Sequence, residues 1–269
     1  MSDRLRLTIL GCGSSPGVPR IMGDWGACDP ENPRNRRTRA AALVERISEN
    51  GGITRVVIDT GPDFRSQMIA SSVEKLDAVL YTHPHADHIH GIDDLRGYVL
   101  AQKKLMDVYA DQPTMDRLME AFRYCFETPH GSNYPPILKA HIIEPGRELA
   151  ITGEGGPITL TPLLQVHGDI HSLGFRVGSM AYCSDVSAFP PETAQLLEGL
   201  DVLVIDALQY KPHPSHFSLD EALEWIARLK PQKAVLTHMH IPLDYDTVAR
   251  QTPEHVIPAH DGLSLEVAC

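Results

Sequence analysis

Short apolar runs recur along the chain and are separated by Gly, Pro or polar residues. Runs of this length, rich in Val, Ile and Leu, are typical of buried strands. The predicted strands cover residues 5–10, 41–44, 55–58, 78–81, 107–110, 158–164, 174–177, 181–183, 202–205 and 234–236. The pattern therefore predicts a protein whose core is made largely of sheet.

Helical periodicity appears between some of these runs, over residues 114–126 and 218–229. Ser218 is placed to cap the second helix, and Glu221 three residues later completes a capping box. Strands that alternate with helices predict two sheets covered by helices, a layered α/β architecture. No linker or composition shift divides the chain, so we expect one domain over residues 1–269.

Composition places the chain among soluble globular proteins, with 42% apolar and 22% charged residues. The formal net charge of -11 argues against a long nucleic acid as partner, although a small anionic substrate stays compatible with it. No run of about 18 apolar residues exists, so no membrane partner is expected. The N-terminus runs into a strand without a signal-peptide core, which predicts a cytoplasmic protein. Homodimerisation is left open.

The five cysteines are odd in number and widely spread, without a C-x-x-C pair, so they are read as free thiols. Residues 11–17 superficially resemble a phosphate-binding loop but lack its Lys-Ser/Thr, which favours a structural turn. Residues 24–39 are read as a solvated loop, with an anion-attracting rim as the alternative. Residues 126–136 form a second long loop that could close over a site.

The densest chemical signal is T-H-P-H-A-D-H at residues 82–88, directly after a predicted strand. Imidazole and carboxylate groups are ligands for zinc and related divalent metals. Three histidines and one aspartate around a strand-to-helix turn point towards a common centre. The cluster therefore predicts a metal site.

Further metal-capable residues follow other strand-like runs: Asp59, His167, Asp185 and His238. Each of them alone is better explained as a polar strand end than as a ligand. Together with the histidine cluster they indicate a larger metal centre, because they recur where strands end.

These motifs resemble the metallo-β-lactamase superfamily in the order T-H-x-H-x-D-H, a lone downstream His, Ser-Asp and a late Leu-Thr-His. Within that superfamily, I-D-T-G-P-D at 58–63, H-G at 90–91, Y-C-S-D at 182–185 and L-T-H-M-H at 236–240 resemble the PhnP-type cyclic phosphodiesterases. The resemblance implies a four-layer αββα sandwich, with metals at one edge in the loops that join strands to helices.

The resemblance also implies two divalent metal ions and assigns their ligands. Zinc is the first expectation for both ions, with manganese or iron as alternatives. The implied ligands are His83, His85 and His167 for one ion, Asp87, His88 and His238 for the second, and Asp185 as the bridge. Asp59 would hold a ligating imidazole in one tautomer. His90 and His240 are expected beside the centre or at its rim and not as ligands.

One departure from the PhnP-type pattern concerns a separate structural zinc site. That group carries closely spaced cysteines after the first strand, whereas this chain has only Cys28 there. We therefore expect the accessory zinc to be absent. The departure weakens assignment to the phosphonate pathway but leaves the predicted catalytic centre unaffected.

Two ions about 3.5 to 4 Å apart lower the pKa of a shared water towards about 7, which predicts a metal-bound hydroxide as nucleophile. Asp87, which binds the second ion in this scheme, is counted with the catalytic residues. The departing alkoxide needs a proton, and His216 is the expected general acid, because its H-x-S context resembles the catalytic histidine of phosphodiesterase branches. Asp206 is expected to orient His216, and His213 is the alternative acid.

The sequence thus predicts a binuclear metal-dependent phosphodiesterase that acts on a small phosphodiester, cyclic diesters included. The alternatives are a tRNA 3′-processing nuclease, a glyoxalase-type thioester hydrolase, and a non-hydrolytic metal-binding protein that handles a cofactor. The nuclease would need a protruding basic arm that the sequence does not reveal.

Overall fold

The apolar runs fold as strands of two sheets in the computed structural model, which describes residues 2–269. The first sheet contains β1 Arg4–Gly11, β2 Ala41–Ile47, β3 Ile53–Ile58, β4 Ala78–Leu80, β5 Met106–Ala110, β6 Leu138–Ile142 and β14 Ser264–Ala268. The second contains β7 Leu149–Gly153, β8 Gly156–His167, β9 Ile170–Val177, β10 Met180–Cys183, β11 Val202–Asp206, β12 Lys233–Thr237 and β13 Val256–Pro258.

The helices that cover the sheets are α1 Phe64–Ala70, α2 Ala86–Ile89, α3 Arg96–Gln102, α4 Gln112–Phe126, α5 Pro191–Leu196, α6 Leu219–Leu229 and α7 Tyr245–Gln251. Within the described residues 2–269, no helix is long and apolar enough to cross a membrane.

Each sheet has a parallel half that brings strand ends together. The first sheet runs in the order β14-β1-β2-β3-β4-β5-β6, and β3 to β6 are parallel neighbours. The second runs β13-β12-β11-β10-β9-β8-β7, and β10 to β13 are parallel. Because parallel strands end on the same side of a sheet, the loops after β3, β4, β10, β11 and β12 gather at the ends of the two sheets.

Alternation along β3 illustrates the layering. Val56 and Ile58 are buried in the core between the two sheets, whereas Val57 belongs to the core between the first sheet and its helices. Successive side chains of a strand point to opposite faces, so a strand buried on both faces reads as a continuous apolar run. The predicted four-layer αββα sandwich is confirmed.

Every predicted strand run lies inside or across an observed strand, and both predicted helices are present. The capping box of α6 is confirmed: the Ser218 side chain accepts from the Glu221 amide, while the Glu221 carboxylate accepts from the Ser218 amide. The strands that the pattern missed are β6, β7, β13 and β14. All four are edge strands: β6, β7 and β14 have several exposed positions, and β13 has only three residues, so their apolar signal is weak.

The expectation of a solvated loop over residues 24–39 is wrong at Arg37, which is only 2% exposed. Its guanidinium donates to the carbonyl of Leu243 at 2.7 Å and to Oδ1 of Asn35 at 3.2 Å. Cys28 is buried beside it, with Sγ 3.4 Å from the carbonyl of Ile241. The loop is therefore fastened to the segment that follows β12.

Candidate metal centre

The predicted metal-binding residues all lie where strands of the two sheets end. Asp59 follows β3, residues 82–88 lead from β4 into α2, His167 ends β8, Asp185 follows β10 and His238 follows β12. The two sheets therefore both contribute to the site. Residues far apart in sequence meet because the strands that carry them end together: β3, β4, β10 and β12 belong to the parallel halves of the sheets, and β8, which carries His167, is antiparallel to its neighbours.

Three of these residues adopt a left-handed backbone conformation. The φ angles are 67° at Asp59, 55° at Asp185 and 57° at His238. Non-glycine residues rarely adopt positive φ, and such conformations concentrate at functional sites. Each of the three strands thus ends in a sharp turn at a residue that contributes to the cluster.

Three imidazoles converge on one point. Nε2 of His83 lies 2.9 Å from Nδ1 of His85, and Nε2 of His167 lies 3.3 Å from the same Nδ1. Ligand atoms in a tetrahedral zinc site, with bonds of about 2.0 to 2.1 Å, lie about 3.3 Å from one another. The spacing of these nitrogens fits one metal ion.

A second group lies beside the first and shares Asp185 with it. Nε2 of His88 is 3.3 Å from Oδ2 of Asp87 and 3.4 Å from Oδ2 of Asp185. Oδ1 of Asp185 is 3.2 Å from Nε2 of His238, and it is 3.9 Å from Nε2 of both His83 and His167. The Asp185 carboxylate therefore stands between the two groups, as a bridging ligand would.

Asp59 fixes the orientation of two imidazoles. Its Oδ2 accepts from Nδ1 of His88 at 2.7 Å and from the hydroxyl of Thr82 at 2.8 Å. The Thr82 oxygen in turn lies 3.0 Å from Nδ1 of His83, where it accepts that N–H. Both imidazoles thus carry their proton on Nδ1 and direct the lone pair of Nε2 into the site.

His167 is held in the same tautomer from another direction. Its Nδ1 donates to the carbonyl of Ser215 at 2.7 Å, which leaves Nε2 free. This bond joins the metal cluster to the segment that contains His216.

Several polar atoms at the centre are buried without a hydrogen-bond partner. They are Nε2 of His88, Oδ2 of Asp185, and both ring nitrogens of His238. Leaving buried polar groups unpaired is costly, and coordination of a cation is one way to satisfy them. The donor set and these orphaned atoms fit divalent metal ions.

Burial and neighbouring charges shift the pKa values of the cluster residues in different directions. Burial lowers the pKa of His238 to about 3 and that of His83 well below its usual range. Burial opposes ionisation of Asp185, yet the imidazoles of His238 and His88 hold its pKa well below the ordinary value. Burial also opposes protonation of His88, but the carboxylates of Asp185, Asp87 and Asp59 raise its pKa well above the ordinary value. Neutral imidazoles and ionised carboxylates are the forms that bind a metal, so an ion at this group would have to displace the proton from His88.

His216 lies against the centre and is bonded to Asp206. Its Nδ1 donates to Oδ2 of Asp206 at 2.7 Å, and its ring stacks on that of His238 with centroids 4.7 Å apart. Burial alone would lower the pKa of His216, but the Asp206 carboxylate raises it above the ordinary value. A protonated His216 beside the metal groups is in the form that a proton donor needs.

Two further groupings bring His216 within ligand distance, one with His167 and Asp185 and one with Asp206 and His238. Distance alone does not separate a metal ligand from a proton donor at this position. The bond to Asp206 occupies Nδ1, so either role would use Nε2. His213, the alternative acid, lies farther out, with its ring centroid 5.3 Å from that of His216.

The histidines next to the predicted ligands have protein partners instead. His90 packs edge-on against Phe122, with centroids 5.7 Å apart. His240 bonds through Nδ1 to the Ser14 hydroxyl at 2.7 Å and through Nε2 to the guanidinium of Arg20. Within residues 2–269, neither of them belongs to a potential metal-binding group, and Cys28 does not either.

The sequence assigns no role to Arg20 or to Thr82, although Thr82 opens the T-H-x-H-x-D-H motif, because their contacts with His240 and Asp59 arise only in the fold. For Thr82, position directly before the first histidine of the cluster was an available signal.

Comparison with known families gives a match to the model described as "Beta-lactamase superfamily domain" over residues 54–239. The match begins in β3 and ends just after β12. It therefore spans the strand ends that carry the metal cluster.

Two curated relatives are similar in sequence. A protein named octanoyltransferase from Porphyromonas gingivalis is 33% identical over 264 residues, which cover 96% of this chain and 51% of that protein. A ribonuclease Z from Bradyrhizobium is 27% identical over 154 residues, covering 55% of this chain and 47% of that protein. The chain spans about half the length of these relatives.

Among solved structures, a diphosphatase from the PhnP family is similar over its whole length. It is 35% identical, covers 99% of this chain and 98% of its own, and superposes with a TM-score of 0.87.

Proposed function

The chain belongs to the metallo-β-lactamase superfamily and resembles its PhnP family, and from this premise we propose that it hydrolyses small phosphodiesters, cyclic ones included. The observation that carries the proposal is the Asp206–His216 pair beside the metal cluster. A hydrolase with a good leaving group has little need of such a pair. A phosphodiester whose alcohol departs as an alkoxide needs a proton donor at that place.

Two divalent ions would be held by the residues that the structure brings together. His83, His85 and His167 would hold one, Asp87, His88 and His238 the other, and Asp185 both. When bound, such ions supply an activated water and offset the charge on the phosphoryl oxygens. Zinc suits this nitrogen and oxygen donor set, and manganese and iron remain compatible with it.

The protein's own residues would orient the imidazole ligands and transfer a proton to the leaving group. Asp59 and the carbonyl of Ser215 keep the imidazoles in the ligating tautomer. Asp206 holds His216 by Nδ1, so Nε2 delivers its proton to the oxygen of the departing alcohol. The charge of Asp206 stabilises the imidazolium until that transfer occurs.

The solved structure of similar length is named a diphosphatase, which supports phosphoryl chemistry. The name octanoyltransferase belongs to a relative about twice as long, so it assigns no reaction to the part that this chain matches. The ribonuclease Z relative keeps an RNA-cleaving reaction as the second candidate, although the net charge of -11 disfavours a long RNA.

The proposal is tested with protein loaded separately with zinc, manganese or iron. Turnover is measured on bis(p-nitrophenyl) phosphate, on cyclic and linear nucleotide diesters, on a precursor tRNA, on a thioester and on a β-lactam. We expect hydrolysis of the small diesters. Thioester turnover alone would favour the glyoxalase-type activity, and no turnover at all would favour a non-hydrolytic metal-binding protein.

His216→Ala should retain the metal content and fold while losing about 10² to 10⁴ in turnover on diesters with an alkoxide leaving group. The loss should be much smaller with a p-nitrophenolate leaving group, which departs without a proton. His213→Ala tests the alternative acid, and His255→Ala, an exposed histidine on the β13 side, is the matched control. Loss of metal from His216→Ala would make His216 a ligand, and unchanged turnover would remove it from the mechanism.

A further inference from the structure

We propose that Gln165 is a positioning residue for the metal centre, because its side chain holds the left-handed turn that presents the Asp185 carboxylate. This inference rests on the proposed function, in which Asp185 binds two metal ions. Gln165 lies on β8 two residues before His167, so one strand carries a predicted ligand together with the side chain that fixes another. The relative position of His167 and Asp185 is what Gln165 sets.

Gln165 faces Ser172 across the hairpin that β8 forms with β9. The two residues are direct partners in the register of this antiparallel pair, and both side chains are fully buried. Side chains two residues apart on a strand point to the same face of the sheet, so Gln165 and His167 leave β8 on one side. The strand thus directs both side chains to the region where Asp185 lies.

Hydrogen bonds from this side-chain pair reach both peptide groups that flank Asp185. Nε2 of Gln165 donates to the carbonyl of Ser184 at 2.9 Å and to the hydroxyl of Ser172 at 3.0 Å. The Ser172 hydroxyl in turn donates to the carbonyl of Asp185 at 2.7 Å. Rotation of these two peptide groups sets φ and ψ of Asp185, so bonds to both of them oppose a change in its φ angle of 55°.

The direction of donation follows from the chemistry of the groups. A backbone carbonyl only accepts, so Gln165 must present its NH₂ group to Ser184, and the hydroxyl proton of Ser172 must point to Asp185. The oxygen of Ser172 then accepts the second N–H of Gln165. Within residues 2–269, Oε1 of Gln165 has no hydrogen-bond partner. Donation by Nε2 is therefore the interaction that this amide provides.

Close packing keeps the amide in this place. A Cβ added at Gly174, on β9, would lie 2.5 Å from Oε1 of Gln165 and 3.0 Å from the carbonyl oxygen of Tyr182. The glycine therefore provides the space that the Gln165 amide occupies. A larger residue at this position would displace the amide from the turn.

The residues that follow the turn are attached separately. The amide of Val166 donates to the carbonyl of Ala188 at 3.0 Å, and the amide of Ser187 donates to the carbonyl of Val166 at 2.7 Å. These backbone bonds fasten the segment after the turn to the end of β8. Loss of the Gln165 donor should therefore loosen the turn while the strands and the segment beyond it stay in place.

The test compares zinc affinity in variants that remove hydrogen bonds without removing a ligand. Gln165→Met keeps the approximate length of the side chain but has no N–H to donate, and Ser172→Ala removes only a hydroxyl. We expect both variants to fold and to bind zinc about tenfold to a hundredfold more weakly than wild type, as is typical when a group that orients a ligand is lost. Zinc affinity is measured by competition with a chelating dye, so this measurement requires no substrate.

Thr54→Val is the matched control. Thr54 is fully buried and donates to the carbonyl of Gly156 at 2.7 Å, near the start of β3 and β8 and away from the strand ends that carry the cluster. The variant also loses a buried hydrogen bond to a backbone carbonyl. Its Tm should therefore fall while its zinc affinity stays at the wild-type value.

Wild-type zinc affinity in a folded Gln165→Met variant would overturn the positioning role, and so would an equal loss of affinity in Thr54→Val. If Gln165→Met does not fold, Ser172→Ala decides by the same comparison. Wild-type protein that binds no metal would overturn the metal centre and this inference with it. Wild-type protein that binds zinc but cleaves no diester would contradict the proposed function alone, and the zinc affinities would still decide the role of Gln165.

Discussion

At the scale of single residues, Asp185 occupies the position that joins the two halves of the metal cluster. Its Oδ2 lies 3.4 Å from Nε2 of His88 in one group, and its Oδ1 lies 3.9 Å from Nε2 of both His83 and His167 in the other group. Its pKa is held low although the group is buried, because the surrounding imidazoles favour the charged form. Loss of this one charge should therefore affect both of the ions proposed for the centre.

If the proposed two ions are bound, Asp185→Asn should reduce metal binding to one ion per chain or none, because an amide neither carries the charge nor bridges two cations. Metal per chain is measured by elemental analysis after dialysis against a fixed free-metal concentration. Asp246→Asn, at an exposed position of α7, is the control and should bind as wild type does. Retention of two ions by Asp185→Asn would reject the bridging role.

The candidate metal ligands could be predicted from the sequence, because histidine and aspartate in such motifs are typical of metal sites. His83, His85 and Asp87 stand in one motif, and His167, Asp185 and His238 follow recognisable strands. The supporting contacts could not be predicted, because a threonine such as Thr82 or an arginine such as Arg20 has many ordinary uses. Their roles depend on which partner the fold brings within hydrogen-bond distance.

At the scale of elements, the turn after β3 and the short helix α2 are locked together. The amide of Thr60 donates to the carbonyl of His88 at 2.8 Å, and the amide of Gly91 donates to the carbonyl of Thr60 at 2.7 Å. A Cβ added at Gly61 would lie 2.1 Å from the carbonyl oxygen of Asp87. The position accepts only glycine unless α2 moves.

Gly61→Ala should therefore displace the segment that contains Asp87 and His88, and turnover should fall by about 10², as expected for a catalytic group misplaced by about 1 Å. Metal titration and turnover measure the effect. Gly97→Ala is the control, because an added Cβ meets no atom within 4 Å there and α3 should tolerate alanine. Wild-type metal affinity in Gly61→Ala would show that the turn adapts without disturbing the ligands.

The central strands of both sheets could be predicted because burial on both faces gives a continuous apolar run. The start of α6 could be predicted from its capping box. Edge strands such as β6 and β14 could not, because three of the five positions in each are exposed. The course of residues 24–39 could not be predicted either. A buried arginine there depends on the backbone carbonyls of the distant segment after β12, which accept hydrogen bonds from its guanidinium.

At the scale of the whole molecule, the cluster draws on both sheets. Residues after β3 and β4 come from the first sheet, whereas His167, Asp185 and His238 come from the second. A bound ion would therefore hold the two sheets together at one edge. Its removal would leave several buried polar atoms without partners.

Removing the metal should lower the thermal stability of the folded protein. A ligand present at about 100 times its dissociation constant stabilises the folded state by about 2.7 kcal/mol per site. Tm is measured by calorimetry before and after dialysis with a chelator, and again after metal is restored. The shift should be smaller in Asp185→Asn, and a Tm independent of metal would contradict a centre that joins the sheets.

The left-handed strand ends at Asp59, Asp185 and His238 have a consequence for protein design. A designer who transplants only the histidines and aspartates onto another sandwich would place them on strands that continue straight. The side chains would then alternate between the two faces of the sheet and would not meet. What must be copied is the set of turns, so a functional graft is specified by backbone torsion before it is specified by residue type.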